Sequence, residues 1–239
     1  MGYYYGYGSS GYDLYLLLLI PVMLLSLWAQ IKVQGSFKKY STVRNLRGLT
    51  GARAAEAVLR ANGVTGVRIT SCAGSLTDHY NPSDNTIYLS EPVYDAPTVA
   101  AVGVAAHEAG HAVQYAVGYF PIRIRSLAVP VTQFGSKFSF IFLLLGIALR
   151  FEALLAIGIV LFSFTTVFQL ITLPVEFDAS SRALRTLRES QTLSDAELSG
   201  TKKVLTAAAL TYVAAFLTSL VQLLRYVAIL AGRSGRRRR

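Results

Sequence analysis

His107-Glu108-Ala109-Gly110-His111 places two of the chain's three histidines one helical turn apart, with a carboxylate beside the first. Residues i and i+4 share a face of an α-helix, so both imidazoles can point at one tetrahedral cation while Glu108 reaches the fourth position. Neutral imidazole suits Zn2+, and a catalytic zinc keeps three protein ligands and one position open to a water whose pKa falls to about 7. On this reading Glu108 is the general base, taking a proton from water and handing it to the leaving amine. The competing reading is a core helix whose histidines are satisfied by packing partners, and so demanding a spacing in a histidine-poor chain weighs against it. The flanks support a helix. Asp95 and Pro97 supply start signals, Thr98 to Val117 is Ala/Val-rich with helical periodicity, and Gly118 supplies a stop. Val102, Ala106, Ala109 and Val113 form the core stripe, and the small Ala109 and Gly110 leave room for a second element to approach closely.

Composition sets a second boundary. Hydrophobic residues make up 53% of the chain and charged residues only 15%, less charge than a soluble domain of this length carries. Three regions are apolar enough to span a bilayer. Leu14 to Ile31 is 18 residues without a charge, with Pro21 as a candidate kink. Phe138 to Leu173 holds two apolar runs broken at Arg150 and Glu152, which reads as a helical hairpin whose first arm extends back past Lys137 toward Val129. Val204 to Leu230 is the last, with Arg225 near its end where it can snorkel. The predicted fold class is therefore a mainly α integral membrane protein, with about four transmembrane helices and a small α+β zinc-metallopeptidase domain built on the His107–His111 helix. The predicted division is a Tyr/Gly-rich tail at 1–13, a span at 14–31, the domain at 32–128, the hairpin at 129–173, a helix at 174–203, a span at 204–231 and a basic tail at 232–239. No basic region precedes the first apolar run, so it is expected to stay as an anchor rather than be cleaved.

Charge gives an orientation. Lys32, Lys38, Lys39, Arg44, Arg47, Arg53, Arg60 and Arg68 follow the first span, and Arg182, Arg185, Arg188, Lys202 and Lys203 follow the hairpin. A hairpin returns the chain to the same side, and the positive-inside rule makes that side cytoplasmic in a plasma membrane, the inner membrane of a bacterium. Arg233 and Arg236 to Arg239 run against this scheme, because a full last crossing puts them outside. The net charge of +10 is accounted for by anionic lipid headgroups, and no aromatic-basic interleaving calls for nucleic acid. Cys72 stands alone, which excludes an internal disulfide.

Within the domain, Thr50 to Asn62 reads as a helix with a Thr N-cap and Gly63 as its stop. Val67 to Ser71 and Thr86 to Ser90 read as strands, separated by a loop holding Asp78, His79 and Tyr80 and a turn at Asp84-Asn85. A strand bordering the motif helix is where a peptidase binds extended substrate backbone. A third metal ligand must come from elsewhere. Pro174-Val175-Glu176-Phe177-Asp178 looks like a helix start just after the hairpin, with proline and acids in the first turn. The hairpin returns Glu176 to the face that carries His107 and His111. Asp178 then either orients a ligand histidine or pairs with Arg182 at i+4. His79 is a second catalytic candidate beside Glu108, as an oxyanion donor or substrate contact; its alternative role is to tie down the loop before the strand. Tyr80 and Tyr88 are further oxyanion candidates.

Three blocks resemble a known family. Leu76-Thr77-Asp78-His79-Tyr80, Ala105-Ala106-His107-Glu108-Ala109-Gly110-His111 and Leu173-Pro174-Val175-Glu176-Phe177-Asp178-Ala179-Ser180 are similar to the blocks of the YugP-like family of membrane zinc metallopeptidases. The pattern is related to gluzincin-type HtpX-like and CAAX-prenyl proteases. The likeness runs over nearly the whole chain after the first span. It implies zinc held by His107, His111 and Glu176, with Glu108 catalytic. The HtpX-like pattern continues Glu-Phe-x-Ala-Asp, whereas Ser180 stands here in place of that Asp, with Asp178 the nearest substitute.

The expected function is that of an integral-membrane zinc endopeptidase cleaving unstructured segments of membrane or membrane-associated proteins at the cytoplasmic face. The expected partners are a protein or peptide substrate and the bilayer, with room for an oligomer or regulatory membrane partner. The alternative is a non-proteolytic scaffold that keeps a structural zinc, a role with no need of Glu108. A transporter finds little support, because apart from Lys137 and Arg225 the spans carry no midplane ionisable residues that would mark a pathway.

Overall fold

The computed structural model describes residues 9–237. Most of the Tyr/Gly-rich tail and the last two arginines lie outside the described residues. In chain order the elements are α1 (Ser9–Tyr40), α2 (Gly51–Ala61), β1 (Arg68–Cys72), β2 (His79–Asn81), β3 (Thr86–Ser90), α3 (Glu91–Tyr94), α4 (Val99–Ala116), α5 (Phe120–Ala148), α6 (Glu152–Glu189) and α7 (Asp195–Arg237). Four of these, α1, α5, α6 and α7, are long and apolar enough to cross a membrane. The chain is a mainly α-helical membrane protein with a small α+β domain. It divides into two compact units, one of residues 9–28, 125–171 and 212–237, the other of residues 29–124 and 172–211.

In the first unit the outward side chains are apolar: Leu24, Phe140 and Val160 are each more than half exposed, as lipid-facing positions are. The N-terminal part of α1 runs beside α7. Ser26 Oγ lies 3.3 Å from Thr218 Oγ1, and the Arg225 guanidinium stacks over the Tyr15 ring at 4.3 Å. Arg225 therefore has an aromatic partner within the unit, a cation–π contact that shelters its charge. Between α5 and α6, Arg150 takes a left-handed backbone (φ 54°) and the Phe151 N–H returns to Gly146 O at 3.1 Å, closing the hairpin where the charged residues interrupt the apolar run. Arg233 donates to Gly146 O and Ile147 O at 2.9 and 3.2 Å. A guanidinium thus caps the last carbonyls of α5, and the beginning of the basic tail sits at the hairpin-turn end of this unit.

The second unit is built around α4. Thr98 caps its N-terminus, its Oγ1 accepting the Ala101 N–H at 3.3 Å. Beyond it Gly118, at φ 66°, lets the chain leave in the left-handed conformation. The predicted core stripe is buried, with Val102, Ala106, Ala109 and Val113 all packed in one cluster with Ala54, Ala55 and Val58 of α2 and Leu89 of β3. Thr50 caps α2 as expected, accepting from Arg53 N. The sheet order is β1-β3-β2, with β1 parallel and β2 antiparallel to β3. Ile87 and Leu89 point into the core from the central strand.

Two expectations are corrected. His79 to Asn81, read as loop, is the edge strand β2, paired through His79 to Tyr88 and Asn81 to Thr86. Three residues are too few to show alternation, and the strand exists because the edge of β3 requires a partner for its backbone groups. Pro174 does not start a helix; it lies inside α6, which runs unbroken from the hairpin through Glu176. Proline forfeits one backbone hydrogen bond there, but Val175, Ala179, Ala183 and Leu187 form a fully buried i, i+4 stripe that carries the helix through. Pro21 lies within α1, as the expected span places it, and the helix continues past the apolar run to Tyr40.

Candidate metal centre

The i, i+4 spacing on α4 turns His107 and His111 to one side, with ring centroids 4.7 Å apart. The later part of α6 supplies Glu176, which is only 2% exposed. Its Oε2 lies 3.2 Å from His107 Nε2 and 3.7 Å from His111 Nε2. What permits this approach is Gly110. A Cβ there would stand 2.6 Å from Ala179 O, so the α4 backbone lies directly on α6 and sets Glu176 against the two imidazoles. The three residues form a group able to hold a metal ion.

The residues fit zinc. Tetrahedral bonds of about 2.0 to 2.1 Å place ligand atoms roughly 3.3 Å apart, and the two nitrogen–oxygen separations bracket that figure. The two imidazoles and one carboxylate supply three of the four positions that tetrahedral zinc takes.

Both histidines are also held from behind. Gln114 is fully buried; its Nε2 donates to Val175 O and to Asp178 Oδ2, each at 2.8 Å. Its Oε1 therefore accepts the Nδ1–H of His111 at 3.0 Å, which leaves His111 Nε2 as the ligand atom. On the other histidine, Ser180 Oγ lies 3.0 Å from His107 Nδ1. Ser180, standing where the HtpX-like pattern has Asp, is thus itself placed against His107, and Asp178 reaches His111 through Gln114. Asp178 also accepts from Arg182 Nε at 2.6 Å, the i+4 pair considered for it, and it bears on a ligand histidine by way of Gln114. Sequence reasoning missed Gln114. Its signal was present, since it lies three residues after His111 and seven after His107 on the same helix face.

Glu108 is not among the three grouped residues. It is buried, and its Oε2 accepts the Tyr80 N–H of β2 at 3.0 Å. Burial is the largest influence on its carboxyl and pushes the pKa up; the nearby Glu176 and Asp78 charges add to this, while His107 and the Tyr80 N–H oppose it. Asp78 braces the strand that brings Tyr80 here, accepting the Ser90 N–H at 2.8 Å.

His79 is not brought into the metal-binding group. Its Nδ1–H donates to Thr77 O at 2.8 Å and its ring stacks on Tyr88 at 4.9 Å on an exposed face of the sheet. The loop-tying role is the one this geometry displays. The hydroxyls of Tyr80 and Tyr88 are committed to the β2–β3 turn, donating to Asn85 Oδ1 at 2.7 Å and Asp84 Oδ2 at 2.8 Å. Neither is an oxyanion donor in this arrangement.

Comparison with known proteins agrees with this centre. The family model described as "putative neutral zinc metallopeptidase" matches residues 15–231. The chain is 46% identical over 216 residues to the protein named "putative membrane protease YugP" of Bacillus subtilis (strain 168), covering 90% of this chain and 96% of that one. No solved structure matches significantly. With a match over nearly its whole length and a His/His/Glu cluster able to hold a metal ion, the chain belongs to the family described as "putative neutral zinc metallopeptidase".

Proposed function

We propose that the chain is a zinc-dependent endopeptidase that hydrolyses unstructured segments of membrane or membrane-associated proteins. The observation that carries the reading is the convergence of His107, His111 and Glu176, with the buried Glu108 adjoining them on the same helix and bonded to a sheet edge. Bound zinc would supply a Lewis acid for the scissile carbonyl and a water of lowered pKa. Glu108 accepts the proton of the attacking water and returns it to the leaving nitrogen. His107 and His111 are kept in register by Ser180 and Gln114, so little reorganisation accompanies the reaction. β2 is an edge strand beside Glu108, and an extended segment pairing at this edge would meet the Tyr80 backbone, whose N–H Glu108 holds here. That geometry selects chain without its own secondary structure. The basic residues of the second unit favour a cytoplasmic placement of this centre.

The test compares purified wild type and Glu108→Gln in detergent, with bound zinc measured and unfolded casein and a membrane-protein substrate offered. Zinc in both and cleavage by wild type alone is the expected outcome. Zinc in both with cleavage by neither favours a scaffold that retains structural zinc, and absence of zinc from both overturns the metal assignment.

A further inference from the structure

Away from the metal centre, Lys32 and Lys39 of α1 and Lys202 and Lys203 of α7 line one cavity of about 530 Å3, with the hydroxyls of Ser36 and Ser199 among its walls. None of its lining side chains is acidic. The nearby Glu197 is engaged elsewhere, accepting from Leu46 N at 2.6 Å and from Ser194 N at 2.7 Å. Lys32, Lys39, Lys202 and Lys203 therefore contribute to the walls of one concavity whose lining holds no carboxylate, and positive charge gathered in a concavity favours an anion there.

Packing, not the lysines, holds the two helices together here. A Cβ on Gly200 would meet the Tyr40 ring at 2.7 Å, so that ring lies on the α7 backbone, and Lys39 Nζ stands 5.6 Å from the ring centroid. The cavity is consequently built before any ligand arrives. Its level is set by the sequence. Lys32 directly follows the apolar run Leu14 to Ile31, and Lys202 and Lys203 directly precede the run Val204 to Leu230, both within unbroken helices. This is the depth at which hydrocarbon gives way to headgroups. Ammonium groups bind phosphate as point charges, and serine hydroxyls can donate to its remaining oxygens.

We propose that this cavity is a phosphate-binding site filled by the headgroup of an anionic lipid. The site is independent of the peptidase reading. The test is thermal unfolding of the full chain in detergent, titrated with phosphatidylglycerol, with phosphatidylcholine and, separately, with inorganic phosphate. Lys39→Gln/Lys202→Gln removes two cavity charges; Arg53→Gln/Arg60→Gln removes two exposed charges from α2 as the control. Wild type and control should show saturable stabilisation by phosphatidylglycerol and none by phosphatidylcholine. The cavity variant should need roughly 25-fold more lipid, about fivefold for each ammonium lost. Lys203→Gln alone should shift the midpoint about fivefold and serves if the double variant fails to fold. Stabilisation by inorganic phosphate equal to that by the lipid, and lost in the cavity variant, would uphold the phosphate site but assign it to a free anion. No response to either ligand, or identical responses in the cavity variant and the control, would overturn the proposal.

Discussion

Gln114 is joined to His111 by a hydrogen bond of 3.0 Å from Nδ1–H to Oε1, and the same amide donates to Asp178 at 2.8 Å. One buried side chain thereby links the motif helix α4 to α6, which carries Glu176. Gln114→Leu keeps the volume but removes the acceptor and both donors. Zinc affinity, measured by chelator competition, should fall 10- to 100-fold. The loss of buried hydrogen bonds should also lower stability by about 1 to 3 kcal/mol. Unchanged affinity would leave the amide with a purely structural role.

Glu108 is predicted to set the acid limb of the pH profile. Its carboxyl must be ionised to accept a proton, and burial holds its pKa above the ordinary carboxylate value of 4.5. A raised pKa moves the loss of kcat/KM to higher pH, so the acid midpoint should lie above 4.5. A midpoint at or below that value contradicts the assignment.

The same shift has a consequence for stability. A carboxyl whose folded pKa exceeds its unfolded value favours folding only while protonated, and that advantage is lost as pH rises through the unfolded and then the folded pKa. At neutral pH the metal-free Glu108→Gln protein should therefore unfold at a temperature no lower than metal-free wild type. A clear decrease would show that the ionised carboxylate is itself a stabilising partner for Tyr80.

Gly110 is where α4 meets the α6 backbone, and an added methyl has no flexible neighbour to displace. Gly110→Ala should cost about 1 to 3 kcal/mol through overpacking. Because Glu176 rides on α6, zinc affinity should fall with it. Denaturant unfolding and zinc titration on one preparation test both effects, and retention of full affinity would separate helix spacing from ligand placement.

His79 ties Thr77 O to the start of β2 and stacks on Tyr88. His79→Ala should retain a full complement of zinc, with any loss of activity expressed in KM more than in kcat, as expected of a strand that binds substrate. Loss of zinc, or a fall in kcat alone, would place the imidazole in the chemistry instead.

The features readable in the chain are those whose signal is local. The i, i+4 histidines, the caps Thr50 and Thr98, the apolar runs and the charged break at Arg150 are each encoded within a few residues. Less visible were elements that exist only through partners. β2 is three residues long and becomes a strand because β3 has an edge to pair. Pro174 carries a helix-start signal in isolation, yet the buried stripe from Val175 to Leu187 overrides it. Gln114 was legible as a position on the motif face, but not as a partner, since its bonds to Val175 and Asp178 span more than 60 residues.

Sequence by itself determined that this is a membrane-embedded helical protein with a zinc-type ligand pair and a carboxylate beside it, because helical periodicity and hydropathy are properties of neighbouring residues. Tertiary structure alone decided how Glu176 meets those histidines, that Ser180 and Gln114 back them, and that the Glu108 carboxylate is fastened to the Tyr80 backbone. Those relations depend on the approach of α6 and β2 to α4 at distances of about 3 Å, which packing of separated segments sets and no local pattern records.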